Sequence, residues 1–173
     1  MKGQPVPEGT LLPNGSLRIT ASVQVSTLPG YAEGAWWVQD AAAAMAVPML
    51  GEVRGLRVLD LCAAPGGKTM QLASSGWSVT AVDREPRRME RVAENLERTG
   101  LAATTVTADL LKWQPDAPAD AVLLDAPCTA TGIFARHPDV LHRIRPKDIA
   151  EMAALQAKLL ARAAEWVKPG GTL

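Results

Sequence analysis

The chain has 173 residues with 18 basic and 18 acidic side chains, 47% hydrophobic and 21% charged, which suits one domain with a real core and excludes a chain disordered throughout. Zero net charge excludes nucleic-acid binding by bulk electrostatics and leaves a local basic face as the route to a polyanion. Two scattered cysteines and two scattered histidines make neither a zinc set nor a C-x-x-C pair, and no apolar run approaches the roughly 20 residues that span a bilayer, so a cytoplasmic, metal-free protein with reduced thiols is expected.

Residues 1–15 are rich in proline and glycine, and Asn14-Gly15 between Leu11-Leu12 and Leu17-Arg18-Ile19 is a hairpin signal. An N-terminal extension over 1–28, ahead of a core over 29–173, is the expected division. After a glycine-bearing loop at 30–34, the alanine-rich residues 37–50 carry Val38, Ala41, Met45 and Met49 on a helical spacing. That spacing predicts a helix packed on a sheet.

From Arg57 onward strands and helices alternate. Residues 57–61, 78–83, 103–109 and 121–125 are short, apolar or β-branched, and bounded by turn residues. Pro86 can open a helix carrying Met89, Val92 and Leu96, with Gly100 where a C-terminal cap belongs. Met152, Leu155, Leu159, Ala163 and Trp166 form a second stripe, which Lys168-Pro169-Gly170-Gly171 ends. The rhythm predicts an α/β fold: a parallel, Rossmann-like sheet with helices on both faces and ligands at the carboxyl ends of its strands.

Within that frame Asp60-Leu61-Cys62-Ala63-Ala64-Pro65-Gly66-Gly67-Lys68-Thr69 joins a buried strand to a small-residue loop and a helix start. Such a loop lets a ligand meet the free N–H groups of the helix. A Walker A loop would need glycine where Cys62 stands, and a dinucleotide loop would need glycines at Cys62 and Ala64. What remains is a ligand whose amino-acid end needs a helix N-terminus and a tight turn, and S-adenosylmethionine is the candidate.

Asp60, Asp83, Asp109 and Asp125 each close a strand. A lone strand-end aspartate is usually a cap or turn former, but four in series point to a functional rim. Asp83, about twenty residues past the loop, is placed to accept from ribose hydroxyls. Asp109 is placed for an adenine amino group, and Arg88 either braces the ribose side or lies solvated on the surface. Asp125-Ala126-Pro127-Cys128 sets an acid and a thiol near the transferable methyl, or Cys128 is simply a small buried residue.

Asp60 to Thr69, Asp125-Ala126-Pro127-Cys128-Thr129-Ala130-Thr131-Gly132 and Arg136-His137-Pro138-Asp139 together resemble the Fmu/Sun family of RNA cytosine-5 methyltransferases, in its ribosomal-RNA branch. The resemblance implies a methyltransferase core in which Cys62, Ala63, Ala64, Pro65, Gly66, Gly67, Lys68, Asp83, Arg88, Asp109 and Asp125 line the S-adenosylmethionine site. It implies a thiolate that adds to cytosine C6, Asp125 on the N3 edge of the base, and Cys128 as an aid to product release. The family's nucleophile is a second cysteine in a Thr-Cys pair at the end of the fifth strand, and the chain stops at Gly171-Thr172-Leu173 as that strand begins. Cofactor binding without turnover is therefore expected, with a non-catalytic cofactor-binding or assembly module, or a transfer-RNA enzyme, as alternatives. Arg136, His137, Arg143 and Arg145 lie in the most basic stretch and are expected to contact RNA phosphates, the other reading being a solvated loop. Loss of later strands would leave the fourth strand with an unpaired edge and promote self-association.

Overall fold

The computed structural model describes residues 8–20, 23–51, 55–133 and 137–173. Gly15, at φ +80°, turns an antiparallel hairpin of β1 (Thr10–Leu11) and β2 (Leu17–Arg18). Asn14 serves it twice, accepting from Ser16 N at 3.1 Å and donating to Ala41 O at 3.0 Å. The turn residue thus also ties the hairpin to the segment that precedes the sheet.

Residues 37–50 depart from the expected helix. They form two short 3₁₀ turns, Ala43–Met45 and Val47–Leu50. Pro48 lacks the N–H that would bond back to the Ala44 carbonyl, which accepts instead from Gln71 Nε2 at 2.8 Å. The buried side is Ala44 and Val47, whereas Val38, Met45 and Met49 of the expected stripe are 64%, 61% and 83% exposed.

Five parallel strands follow: β3 (Arg57–Leu61), β4 (Ser78–Asp83), β5 (Thr104–Thr107), β6 (Ala119–Leu124) and β7 (Val167–Thr172), in the order β5-β4-β3-β6-β7. Central β3 is buried from Val58 to Leu61, as an apolar strand covered on both faces must be. Alternation sends Leu59 and Leu61 to one face, where they join Val82, Val122 and Leu159 and Ala163 of α4 (Pro146–Glu165). Val58 faces the other way with Val79 and Ala121, against Val47 and against Leu72 of α1 (Gly67–Ser74). The expected stripe of α2 (Pro86–Thr99), Met89, Val92 and Leu96, packs on Ala64 and Met70 beneath the loop. Pro86 opens that helix and Gly100, left-handed at φ +63°, closes it.

Strand ends shift where local bonds intervene. β5 stops at Thr107 because Asp109 folds the chain into a turn, its Oδ1 accepting from Leu111 N at 3.0 Å. The end of the chain differs more. α4 stops at Glu165, and Lys168-Pro169-Gly170-Gly171 lies inside β7. Because β7 pairs with β6, the expected open edge of that fourth core strand is covered and the outer edge of the sheet belongs to β7. There Pro169 removes a donor and the register slips between Ala119 and Ala121, both of which discourage pairing with another chain.

The chain runs outward from β3 through β4 to β5, then returns to the opposite side of β3 as β6. This reversal opens a crevice beyond the ends of β3 and β6, where open α/β sheets bind ligands.

Candidate functional site

The loop leaving β3 turns tightly at that crevice. Cys62 has φ +60°, the Ala64–Pro65 peptide is cis, and Gly66 has φ +101°. A Cβ on Gly66 would also come within 3.3 Å of Val92 Cγ1. Gly66→Ala should therefore lower stability by roughly 1–3 kcal/mol, measurable as a shift of the urea midpoint. No side chain caps α1 at Gly66 and its first turn holds no acidic residue, which leaves the positive helix end for an anionic ligand.

Asp60 anchors the loop from below. It is wholly buried, and its Oδ2 accepts from Thr69 Oγ1 at 2.5 Å, closing the loop onto the first turn of α1. Its Oδ1 has no partner among the described residues. Burial pushes the carboxyl up to about 7, against the lowering effects of the Thr69 hydrogen bond and Lys68. The Cys62 thiol is also pushed up, to about 11, first by burial and then by the carboxylates of Asp83, Asp125 and Asp60. A thiol pKa raised in this way disfavours the thiolate.

Asp83 is buried at the end of β4 and reaches back to the loop. Its Oδ2 accepts from Ala64 N at 3.2 Å and its Oδ1 from Glu85 N at 3.1 Å. Arg88 Nη1 lies 3.6 Å from Oδ2, and the same guanidinium donates to the Ala64 carbonyl. Arg88 is thus a strut between loop and carboxylate, while each Asp83 oxygen keeps a lone pair for a ligand. Asp109 is exposed at the exit of β5, and its turn is the role the structure displays for it.

On the other side of the crevice Asp125 accepts from Lys68 Nζ at 2.7 Å. This pair joins the loop after β3 to the segment after β6. Cys128 is exposed, with its Sγ accepting from Ala130 N at 3.4 Å, and Gln156 Nε2 of α4 holds the adjacent Pro127 carbonyl at 2.8 Å. Asp83 and Arg88 through Ala64, and Asp125 through Lys68, are therefore tied to the one loop of Cys62 through Lys68, with Asp60 buried beneath it.

Arg136 lies outside the described residues. His137 is exposed, Arg143 on α3 (Val140–Arg143) pairs with Asp139 at 3.0 Å, and Arg145 lies 3.6 Å from Asp148. The last two spend part of their charge on carboxylates of their own segment. Among the described residues there is no cluster suited to a metal ion and no helix long and apolar enough to cross a membrane.

Sequence reasoning passed over a cavity of about 420 Å³ beside Lys68 and Asp125, whose wall includes Tyr31, Trp37, Gln39, Asn95 and Arg98. The signal available was Trp36-Trp37-Val38-Gln39, an aromatic and amide run just before the sheet. Thr69 was also missed, its link to Asp60 being visible only once the loop is folded.

A reversing parallel sheet with this loop and these strand-end carboxylates has the Rossmann-like fold of S-adenosylmethionine-dependent methyltransferases. The description 16S rRNA methyltransferase RsmB/F belongs to the family model that matches residues 47–173. The chain belongs to that family. It is 44% identical to Ribosomal RNA small subunit methyltransferase B of Salmonella arizonae, over 100% of this chain and 41% of the relative. It thus spans about two fifths of the length of such curated relatives. Among solved structures, PH0851 is 36% identical with a TM-score of 0.85, covering 98% of this chain and 40% of that one. NSun6 from Pyrococcus horikoshii, solved with SFG, is 28% identical with a TM-score of 0.76, over 86% and 39% respectively.

Proposed function

We propose that this chain forms the cofactor-binding part of an enzyme that methylates C5 of cytosine in RNA, with small-subunit ribosomal RNA as substrate. The observation that carries the reading is the Lys68–Asp125 pair at 2.7 Å, which couples a cofactor loop to the acid at the end of β6. S-adenosylmethionine suits the crevice on three counts: an uncapped α1 N-terminus for its carboxylate, a buried strand-end acid at Asp83 for its ribose, and Gly66 and Gly67 where the backbone must come close. When bound it supplies an electrophilic methyl group.

Cytosine C5 is a poor nucleophile until a thiolate adds to C6. In that scheme C5 then attacks the methyl, a base removes the C5 proton, and the thiolate leaves. Asp125 hydrogen-bonds the N3 edge as the adduct forms, and Cys128 aids release of the methylated RNA. Neither cysteine of the chain supplies the attacking thiolate, because Cys62 is held protonated in the loop and Cys128 has the release role. The 173-residue chain is accordingly a cofactor binder that does not turn over alone, and it acts in the cytoplasm.

Titration calorimetry with S-adenosylhomocysteine, beside transfer of labelled methyl to small-subunit ribosomal RNA, tests this directly. Binding without transfer is expected, and methyl incorporation by this chain would refute the assignment of its thiols. Cys128→Ser should leave cofactor affinity within about twofold, since an exposed thiol at the margin adds little to binding. Competition between ribosomal and transfer RNA in filter binding separates the two substrate classes.

A further inference from the structure

We propose that the cavity between Trp37 and Asn95 receives an unstacked base of the RNA, the neighbour of the target cytosine. This rests on the RNA-methyltransferase reading above. Lys68 and Asp125 line one part of the cavity, Asn95 and Arg98 another. An α-helix rises 1.5 Å per residue, so Arg98 stands roughly 15 Å along α2 from Arg88, the strut beside Asp83. Neither Asp83 nor Arg88 belongs to the wall. Ala63, Ala64, Pro65, Gly67 and Lys68 of the loop do belong to it, so the cavity shares that loop with the cofactor's amino-acid end and extends from Asp125 toward Arg98, away from the ribose end of the crevice, where the base of a neighbouring nucleotide would lie.

The chemistry of the wall selects a base over a phosphate. Both of its cations are already engaged: Lys68 pairs with Asp125, and Arg98 Nη1 donates to Tyr31 O at 2.7 Å and to Trp36 O at 3.0 Å. The Arg98 guanidinium also lies 4.1 Å from the centre of the Tyr31 ring. Trp37, Pro65 and Met70 present apolar surface beside the amides of Gln39 and Asn95. A planar group with donors and acceptors on its edge matches that combination, and proteins read single-stranded RNA by such stacking and edge contacts. The volume of about 420 Å³ falls in the range of small-ligand sites.

The wall is also held in shape. Trp37 Nε1 donates to Gln39 Oε1 at 2.9 Å, Gln39 Nε2 to Gln71 Oε1 at 2.9 Å, and Asn95 Nδ2 to Pro65 O at 3.2 Å. Gly34 seats the segment directly on α2: a Cβ there would come within 1.8 Å of Arg98 O.

The test uses the 173-residue chain and a short single-stranded RNA in which 5-bromouridine flanks one cytosine. Ultraviolet crosslinking with mass-spectrometric mapping should place the adduct on Trp37 or Tyr31, undiminished by saturating S-adenosylhomocysteine. Trp37→Ala should weaken RNA binding about tenfold, the stacking contribution of one base, and Trp37→Phe, which keeps an aromatic face, should restore it to within about threefold. Adducts confined to other segments would overturn the proposal, as would adducts abolished by S-adenosylhomocysteine, since the cavity would then be the cofactor's. A chain that binds no S-adenosylhomocysteine would instead overturn the reading beneath it.

Discussion

Asp83→Ala should weaken S-adenosylhomocysteine binding by roughly a hundredfold, because in the ribose role proposed for this carboxylate the substitution removes two charge-assisted hydrogen bonds of about 1.5 kcal/mol or more each. The loss has a second source. Asp83 also accepts from Ala64 N and Glu85 N, so the loop that cradles the ligand loses its anchor to β4. Asp109→Ala is the comparison, since that side chain is exposed and its Oδ1 already serves the turn at Leu111. Less than a tenfold change is expected there. Calorimetry on both variants, with circular dichroism to confirm folding, decides the matter; equal effects at the two positions would show that Asp83 has no special hold on the ribose. Arg88→Ala should fall between them, because it bears on Asp83 at 3.6 Å and on the Ala64 carbonyl without itself ending a strand.

The contrast between Asp83 and Asp109 shows where a sequence can be read and where it cannot. β3 and β4 have the bounds expected of them because apolar runs end there in loop and turn residues that no tertiary contact overrides. α2 lies between Pro86 and Gly100 for the same local reason. Residues 37–50 depart from a helix because Pro48 offers no N–H to the Ala44 carbonyl, which Gln71, far along the chain, engages instead. The last strand runs through Pro169 and two glycines, local stop signals, because β6 offers Val167 and Thr172 partners across a bulge.

The site divides in the same way. The glycine loop and Asp125-Ala126-Pro127-Cys128 are contiguous, so residue type and spacing carry them. The contacts that make them one site are distant: Lys68 meets Asp125 across 57 residues and Arg98 meets Tyr31 across 67. Four strand-end aspartates look alike in sequence, yet burial gives them different chemistry. Asp60 is sealed below the loop, Asp83 is buried and pinned by backbone N–H groups, Asp125 is exposed and ion-paired, and Asp109 caps a turn. The place each strand takes in the sheet, which no local pattern encodes, sets these environments.

Asp60 supplies the other large effect, and its sign is the reverse of the usual aspartate. Its carboxyl titrates at about 7 in the fold and at 3.8 in an ordinary setting, so the fold prefers the neutral acid. The resulting stabilisation is complete below about pH 4 and is lost as pH rises through about 7, amounting to about 4 kcal/mol over that window. Asp116 and Asp120 do not mask it, since the hydrogen bonds from Arg57 and Lys168 respectively hold their carboxyls below the ordinary value. Asp60→Asn keeps an oxygen to accept from Thr69 and removes the titration. Urea unfolding at pH 5, 6, 7 and 8 should therefore show the wild-type chain losing stability relative to Asp60→Asn up to about pH 7 and running parallel above it. Curves parallel throughout would mean that Asp60 is already ionised at pH 5 and that its unpartnered oxygen finds a donor. Because Asp60 holds Thr69 and thereby closes the loop on α1, the same variant should remove any loss of S-adenosylhomocysteine affinity between pH 6 and 8 that arises from loop loosening, which separates loop anchoring from direct contact with the ligand.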